Sequence, residues 1–263
     1  MTQTPEKASR RGVGDGFAAL RTWRNQPLGA AVAAKEEAVL AEFCADLFGY
    51  HLVQVGEFAS ADSYLRDCPI RTKSVLGIAP QDVPGVDPGI SAVIENFRLP
   101  LADDTLDVVI LPHTLEFSSD PLQLLREVDR VLIPEGRLLL CSFNPWSLWG
   151  LWKLWPGQRR QVPWNGQFFS YPRVQDWLSL LGFDIERTQV GMFQPPVANE
   201  ALLRRCACMD RYGERFWPML AGLYVVRAVK RVSTLMPVGP RWRRLRPVGR
   251  GAIEPTTRSV QGG

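Results

Sequence analysis

Short apolar runs alternate along the chain with longer stretches whose apolar positions recur every three or four residues. Between Val32 and Phe48 the apolar residues fall at Val32, Val39, Leu40, Phe43 and Leu47. Glu36, Glu37, Glu42 and Asp46 occupy the other face and Gly49 supplies a stop, which predicts an amphipathic helix. "HLVQVG" (51–56) and "SVLGIA" (74–79) predict two short strands with room for a short helix between them, and "DDTLDVVILP" (103–112) predicts a third. Asp120 and Pro121 fit an N-cap and first helical residue for "PLQLLREVDRVL", where Leu122, Leu125, Val128 and Leu132 have helical spacing. A Pro-Glu-Gly turn (134–136) then leads to the strand "RLLLCSF" (137–143).

Beyond a tryptophan-rich stretch, Ser170 and Pro172 open another helix with Val174, Trp177, Leu178 and Leu181 on one face, closed by Gly182. "FDIERTQV" (183–190) and "GLYVVRAVKRV" (222–232) predict two more strands. Strands alternating with helices, and no internal repeat, predict an α/β fold with a mostly parallel sheet covered on both faces.

Charge adds an asymmetry. The formal net charge is +4, yet nine basic residues and no Asp or Glu lie from Arg215 to Arg250, so the rest of the chain is acidic on balance. The tail "GPRWRRLRPVGRG" suits contact with phosphate, RNA or an anionic membrane, or is a solvated disordered end. The first 25 residues are polar and carry no apolar signal core, and no apolar run approaches the roughly 18 residues of a spanning helix, so the expectation is a cytoplasmic chain. Of five cysteines, Cys206 and Cys208 form a "CAC" pair without nearby partners, and His51 and His113 are the two histidines. No metal site is expected, and free buried thiols are.

The block "ENFRLPLADDTLDVVILPHTLEFSSDPLQLLREVDRVLIPEGRLLL" resembles the centre of the class I S-adenosylmethionine-dependent methyltransferases, in the form of the methyltransferase type 11 domain. The matching residues are Glu95, Leu99-Pro100, Leu106-Asp107, Asp120-Pro121, Arg130-Val131-Leu132 and Pro134-Glu135-Gly136, and "FFSYPRVQDWLSLLGFDIE" is similar to the family's entry to its sixth strand. The resemblance implies a Rossmann-like sheet of seven strands, one antiparallel, with S-adenosylmethionine across the carboxyl ends of the first, second and fourth strands. Ligands of open α/β sheets sit in such a place, at the switch in strand order. It implies cofactor contacts at Gln54, Gly56, Glu57, Ala79, Glu95, Asn96, Leu111 and Pro112. It divides the chain into a disordered arm (1–30), a methyltransferase-like domain (31–235) with a Trp-rich insertion (145–168), and a basic disordered tail (236–263).

The sequence departs from the family where the first motif, D-x-G-x-G-x-G, falls on residues 54–60: Gly56 survives, while Gln54, Phe58 and Ser60 replace the acid and two glycines. The ribose-binding acid falls on Ala79. A charge-assisted hydrogen bond contributes about 1.5–3 kcal/mol, so its loss weakens binding on the order of tenfold to a hundredfold. Gln54 or Glu57 would have to compensate, Glu57 being placed to meet the cofactor's amine or else a solvated loop acid. A dinucleotide loop and a P-loop both lack their glycines here.

On the family's geometry His113 and Glu116 face the transferring methyl and are the candidate catalytic residues; a hydrogen-bonded loop histidine is the alternative. Asn144-Pro145 either lines an acceptor pocket or ends a strand. In "NPWSLWGLWKLWPG", Trp146, Trp149, Trp152 and Trp155 recur every third residue with Leu148, Leu151 and Leu154 between them. Such a segment packs into the core, covers an apolar acceptor or lies on a membrane surface. The sequence therefore supports a methyltransferase for a small, apolar acceptor, with peripheral membrane contact as a further partner. A catalytically silent module acting through the Trp-rich segment and tail is the alternative. Nucleic-acid binding rests on the Arg-rich tail alone.

Overall fold

The computed structural model describes residues 16–56, 61–78, 92–94, 98–197 and 207–231. The chain divides into Met1–Val232, which holds all of these, and Ser233–Gly263; the basic tail lies outside the described residues.

Seven strands form one sheet: β1 (His51–Val55), β2 (Thr72–Ile78), β3 (Ala92–Ile94), β4 (Leu106–Pro112), β5 (Leu132–Phe143), β6 (Phe183–Gly191) and β7 (Leu223–Lys230). Their order is β3-β2-β1-β4-β5-β7-β6. β1 to β5 run parallel, and β7 lies antiparallel to both β5 and β6. The order reverses between β1 and β4, where Leu52 pairs with Val108 and Gln54 with Ile110. A crevice opens outside the strand ends at such a reversal.

Alternation along the strands splits the core into two layers. Val109 and Leu111 of β4, Leu138 and Leu140 of β5, and Tyr224 and Val226 of β7 face one layer. Val108, Ile110, Leu139, Cys141 and Val225 face the other. Burial on both faces explains why these strands read as continuous apolar runs. On the first face pack helices α1 (residues 16–24), α4 (Pro121–Val131) and α6 (Tyr171–Leu180), through Leu20, Leu124, Leu125, Val128, Val174 and Leu178. Helix α2 (Pro27–Cys44) contributes Leu28 and Val32 to the first layer and Val39, Leu40 and Phe43 to the second, where Tyr64 of the short helix α3 (Ala61–Tyr64) joins them.

Three expectations are corrected. Residues 16–30 are not part of a disordered arm: they form α1 and the start of α2, and Phe17, Leu20, Trp23 and Leu28 are core residues. Helix α1 and the first turn of α2 carry little polar face, and no periodicity marks them. Second, Glu36 is not on the solvent face of α2 but fully buried. Third, Pro134-Glu135-Gly136 is no turn ahead of β5 but lies inside it, where Glu135 takes φ 63° and the pairing with β4 skips from Leu106–Leu132 to Val108–Arg137. This is a bulge that leaves Pro134 clear of the ladder.

The family-like residues acquire structural reasons. Asp120 caps α4 by accepting from the Gln123 amide at 3.0 Å, with Pro121 at the first turn. Arg130 donates to the carbonyls of Leu99 (3.1 Å) and Leu101 (2.8 Å) and pairs with Asp103 and Glu127, pinning the loop before β4. The Asp107 carboxylate accepts from the amides of Tyr50 and His51, both at 2.8 Å, which aligns the start of β1 with β4. Replacing Asp107 with Ala is expected to lower unfolding free energy by about 2 kcal/mol, the scale of hydrogen bonds to a charged group; denaturant titration measures it, and a change within error would show that the β1–β4 register does not depend on this contact.

Candidate active site

Gly56 ends β1 at the strand-order reversal, with φ +97°, a conformation that side-chain-bearing residues resist. Its amide donates to the Leu76 carbonyl at 2.9 Å. A Cβ there would meet Thr114 Oγ1 at 3.1 Å, Phe17 Cε1 at 3.5 Å and the Pro112 carbonyl oxygen at 3.7 Å. The Thr114 hydroxyl donates to the Val55 carbonyl at 2.5 Å, tying the loop after β4 to β1. Helix α1 roofs this turn: Phe17 packs on Phe117 (ring centroids 5.5 Å), and Trp23 stands edge-on to Phe143 and Trp149.

Gln54 lies beneath the turn and is buried. Its amide nitrogen donates to the Gly56 carbonyl at 2.8 Å, and its carbonyl oxygen accepts from the Tyr64 hydroxyl. It braces the turn from inside. Leu111 and Pro112 are buried at the end of β4. Glu57, Ala79, Glu95 and Asn96, together with Phe58 and Ser60, lie outside the described residues.

His113 follows β4 in the left-handed region (φ 56°) and is 0% exposed. Its Nε2 lies 2.8 Å from Glu36 Oε1 and its Nδ1 3.0 Å from Glu116 Oε1. The ring stacks on Phe143 (4.1 Å), whose amide donates to Glu116 Oε1 at 2.7 Å. Burial would push the imidazole pKa down, but the two carboxylates outweigh it and hold it up at about 10. His113 is therefore an imidazolium clamped between two acids. Glu36 went unnoticed in the sequence because it reads as one of four acids, yet it stands four residues after Val32 and three before Val39, on the apolar stripe.

Beside this cluster, past β5, lies a cavity of about 650 Å³. Its walls include Tyr171, Thr188, Val190, Tyr224, Trp146 and Met219. Asn144 shapes it by donating to the carbonyls of Met219 (2.8 Å) and Ala221 (3.0 Å). The Tyr171 and Thr188 hydroxyls lie 3.3 Å apart on the wall. Burial pushes the Tyr224 phenol pKa up, so it stays neutral and donates to the Phe169 carbonyl at 2.9 Å.

The tryptophan-rich segment divides in two. Trp149 of the short helix α5 (Leu148–Trp152) is 0% exposed, stacked between Phe143 (5.5 Å) and Trp164 (6.0 Å), and its indole donates to the Gln194 carbonyl. Trp146, Leu151, Leu154 and Trp155 are exposed. The free cysteines Cys44, Cys68 and Cys141 are buried. Among the described residues no helix is long and apolar enough to cross a membrane.

Comparison with known proteins agrees with this geometry. Residues 72–140 match the model of a methyltransferase domain. The structure superposes on a SAM-dependent methyltransferase of Thermotoga maritima with a TM-score of 0.53 and 17% identity, covering 83% of this chain and 100% of that one. It superposes on the [4+2]-cyclase SpnF with a TM-score of 0.50 and 20% identity, covering 75% and 80%. In sequence it is 36% identical over 163 residues to the uncharacterized protein YafS of Escherichia coli, covering 62% of this chain and 65% of that protein's length. The fold is that of the class I S-adenosylmethionine-dependent methyltransferases.

The cofactor implied by this fold is S-adenosylmethionine, and the described part of the crevice fits it. The glycine's φ of +97° strains any side-chain-bearing residue, and a Cβ there would press on the Thr114 hydroxyl at 3.1 Å, so only glycine leaves the turn's backbone open to a ligand. Gln54 offers no acid and is spent on the turn. The expectation that His113 and Glu116 face the transferring methyl is corrected: both are enclosed, with both imidazole nitrogens and Glu116 Oε1 engaged. They are positioning residues that set the end of β4 against β5.

An imidazolium bound more tightly in the folded chain than in the unfolded one contributes its full stability below pH 6.5 and loses it as pH rises through about 10. Unfolding free energy should therefore fall across that window in the wild type, and His113→Gln should flatten the fall while lowering stability near neutrality by about 3 kcal/mol or more, as for a broken buried ion pair. Denaturant titrations of both proteins across that pH range measure this; identical slopes would contradict the charged cluster.

Proposed function

We propose that the protein is a S-adenosylmethionine-dependent methyltransferase acting on a small, largely apolar acceptor held in the cavity beside Asn144 and Tyr224. The observation that carries this reading is a shared edge of the sheet. The Gly56 turn sits at the strand-order reversal between β1 and β4, and the apolar cavity lies on β7 and β6, at the edge where β5 ends. Group transfer needs its two reactants brought together, and a cofactor reaching along this edge past β5 would meet the cavity.

When bound, S-adenosylmethionine supplies a methyl group on a sulfonium that departs as a neutral thioether. The chain's own contribution is placement. Gln54, held by the Tyr64 hydroxyl, donates to the Gly56 carbonyl, Thr114 fixes the β4 loop to β1, and the Glu36–His113–Glu116 cluster joins that loop to α2 and β5. The described cavity walls include no carboxylate or imidazole. An acceptor atom already nucleophilic at working pH suits this site better than one that needs a strong base to deprotonate it. The Tyr171–Thr188 hydroxyl pair gives one polar anchor on an otherwise apolar wall, the usual composition of a specific small-molecule site.

Melting of the purified protein with S-adenosylmethionine and S-adenosylhomocysteine tests the cofactor half. At 100 times Kd the ligand should add about 2.7 kcal/mol of stability. Gly56→Val should abolish the response and Glu95→Ala should weaken it; no response of the wild type at millimolar ligand would contradict the reading. For the acceptor half, Val190→Trp should fill the cavity, leaving the S-adenosylhomocysteine response intact while transfer of labelled methyl to apolar extract components falls at least tenfold. Undiminished transfer would place the acceptor elsewhere.

A further inference from the structure

The mouth of the cavity is itself apolar and exposed: Trp146 is 71% and Met219 75% exposed, and both line it. The same surface continues on either side. Along the chain from Trp146 come Leu151, Leu154 and Trp155, the last 67% exposed; along the chain before Met219 come Phe216 and Trp217, both exposed. The two stretches are held together by Asn144, which binds the Met219 carbonyl with its side chain and precedes Trp146. Folding did not leave this surface open for want of packing: Trp149 and Trp164, from the same segment, are buried. Large contiguous apolar patches on a folded chain mark contact sites.

Charge says what kind of contact. No Asp or Glu occurs from Gly136 to Gln175; of the basic residues in that stretch Arg137 pairs with Glu186 and Lys153 donates to the Gly166 carbonyl. Arg159 and Arg160 are exposed, four and five residues after Trp155. The acids of helix α7 (Ala207–Phe216) are turned to other partners, Asp210 to the Phe193 amide at 2.9 Å and Glu214 to Lys35 at 3.4 Å. Exposed leucine and tryptophan flanked by unpaired-sign arginine is the composition of a surface that rests in the headgroup region of an anionic bilayer.

We propose that the Trp146–Arg160 segment and the adjoining Phe216–Leu220 rim dock on an anionic membrane surface, with the cavity mouth facing the lipid. Leu151, Leu154 and Trp155 enter the interface, and Arg159 and Arg160 meet lipid phosphates. Resting on the acceptor reading above, this makes the acceptor a lipid-phase molecule with one polar end, taken directly from the bilayer.

The test uses the full chain and vesicles of phosphatidylcholine with or without phosphatidylglycerol, followed by co-sedimentation. The wild type should pellet with the anionic vesicles. The double variant Leu151→Ser/Trp155→Ser should partition at least about tenfold more weakly, because two apolar side chains no longer enter the interface, with melting temperature unchanged. Arg159→Gln/Arg160→Gln should weaken binding to anionic vesicles and leave binding to neutral ones alone. A wild type that pellets with neither vesicle, or a double variant that pellets like the wild type, overturns the proposal; so does a vesicle-free dimer that the double variant dissolves, because a second copy would then cover the patch. S-adenosylhomocysteine melting on the same samples separates the two claims: vesicle binding without a cofactor response removes the enzyme reading alone, and the converse removes the docking surface alone.

Discussion

The buried Glu36–His113–Glu116 cluster is the constraint on which the rest of the site depends. It joins helix α2, through Glu36, to the loop past β4, through His113 and Glu116, and adds a side-chain tie to the end of β5 through the Phe143 amide. Taking such charges out of water is costly, and removing one partner leaves an unpaired charge in the core, at about 3–5 kcal/mol. An apolar substitute would pack as well but would not fix a loop whose first residue sits at φ 56°. What the cluster secures is geometry. Thr114, next in the chain, reaches back to β1 beside Gly56, while Phe143 leads into Asn144 and the cavity. The turn at Gly56 and the start of the cavity wall at Asn144 are both tied to one polar joint.

Much of the fold was legible because strands buried on both faces leave uninterrupted apolar runs, and because Asp120-Pro121 and Gly182 mark helix ends by local chemistry. Helix α1 and the start of α2 were not, since their short turns show little periodicity and the burial of Phe17 and Trp23 depends on Phe117, Phe143 and Trp149 far along the chain. Pro134-Glu135-Gly136 suits a turn and a bulge equally well; which one forms depends on pairing with β4, a long-range fact. In the site, the position of Gly56 was legible and the roles of His113 and Glu116 were not. Sequence order places them at the strand end, but whether a side chain turns toward ligand or toward core depended on Glu36, seventy-seven residues earlier.

The tryptophan segment shows the same division within a few residues. A repeat of tryptophan every third position has no inside and outside on a helix, so the sequence left core, lid and membrane open together. The structure uses both outcomes: Trp149 becomes a central core side chain, while Trp146 and Trp155 remain exposed around the cavity mouth. The exposed tryptophans and the cavity mouth thus form one apolar surface, on which the proposed acceptor and docking face rest. The departures in the first motif fall on the side of the cofactor, where Gln54 has become part of the turn's support.

The most direct measurement of the central claim is amide hydrogen exchange with and without S-adenosylhomocysteine. The account predicts slowed exchange at Gly56, in the segment from Leu111 to Phe117 and in helix α1 above them. Protection that appears only around Asn144 and Tyr224, or nowhere, would contradict it.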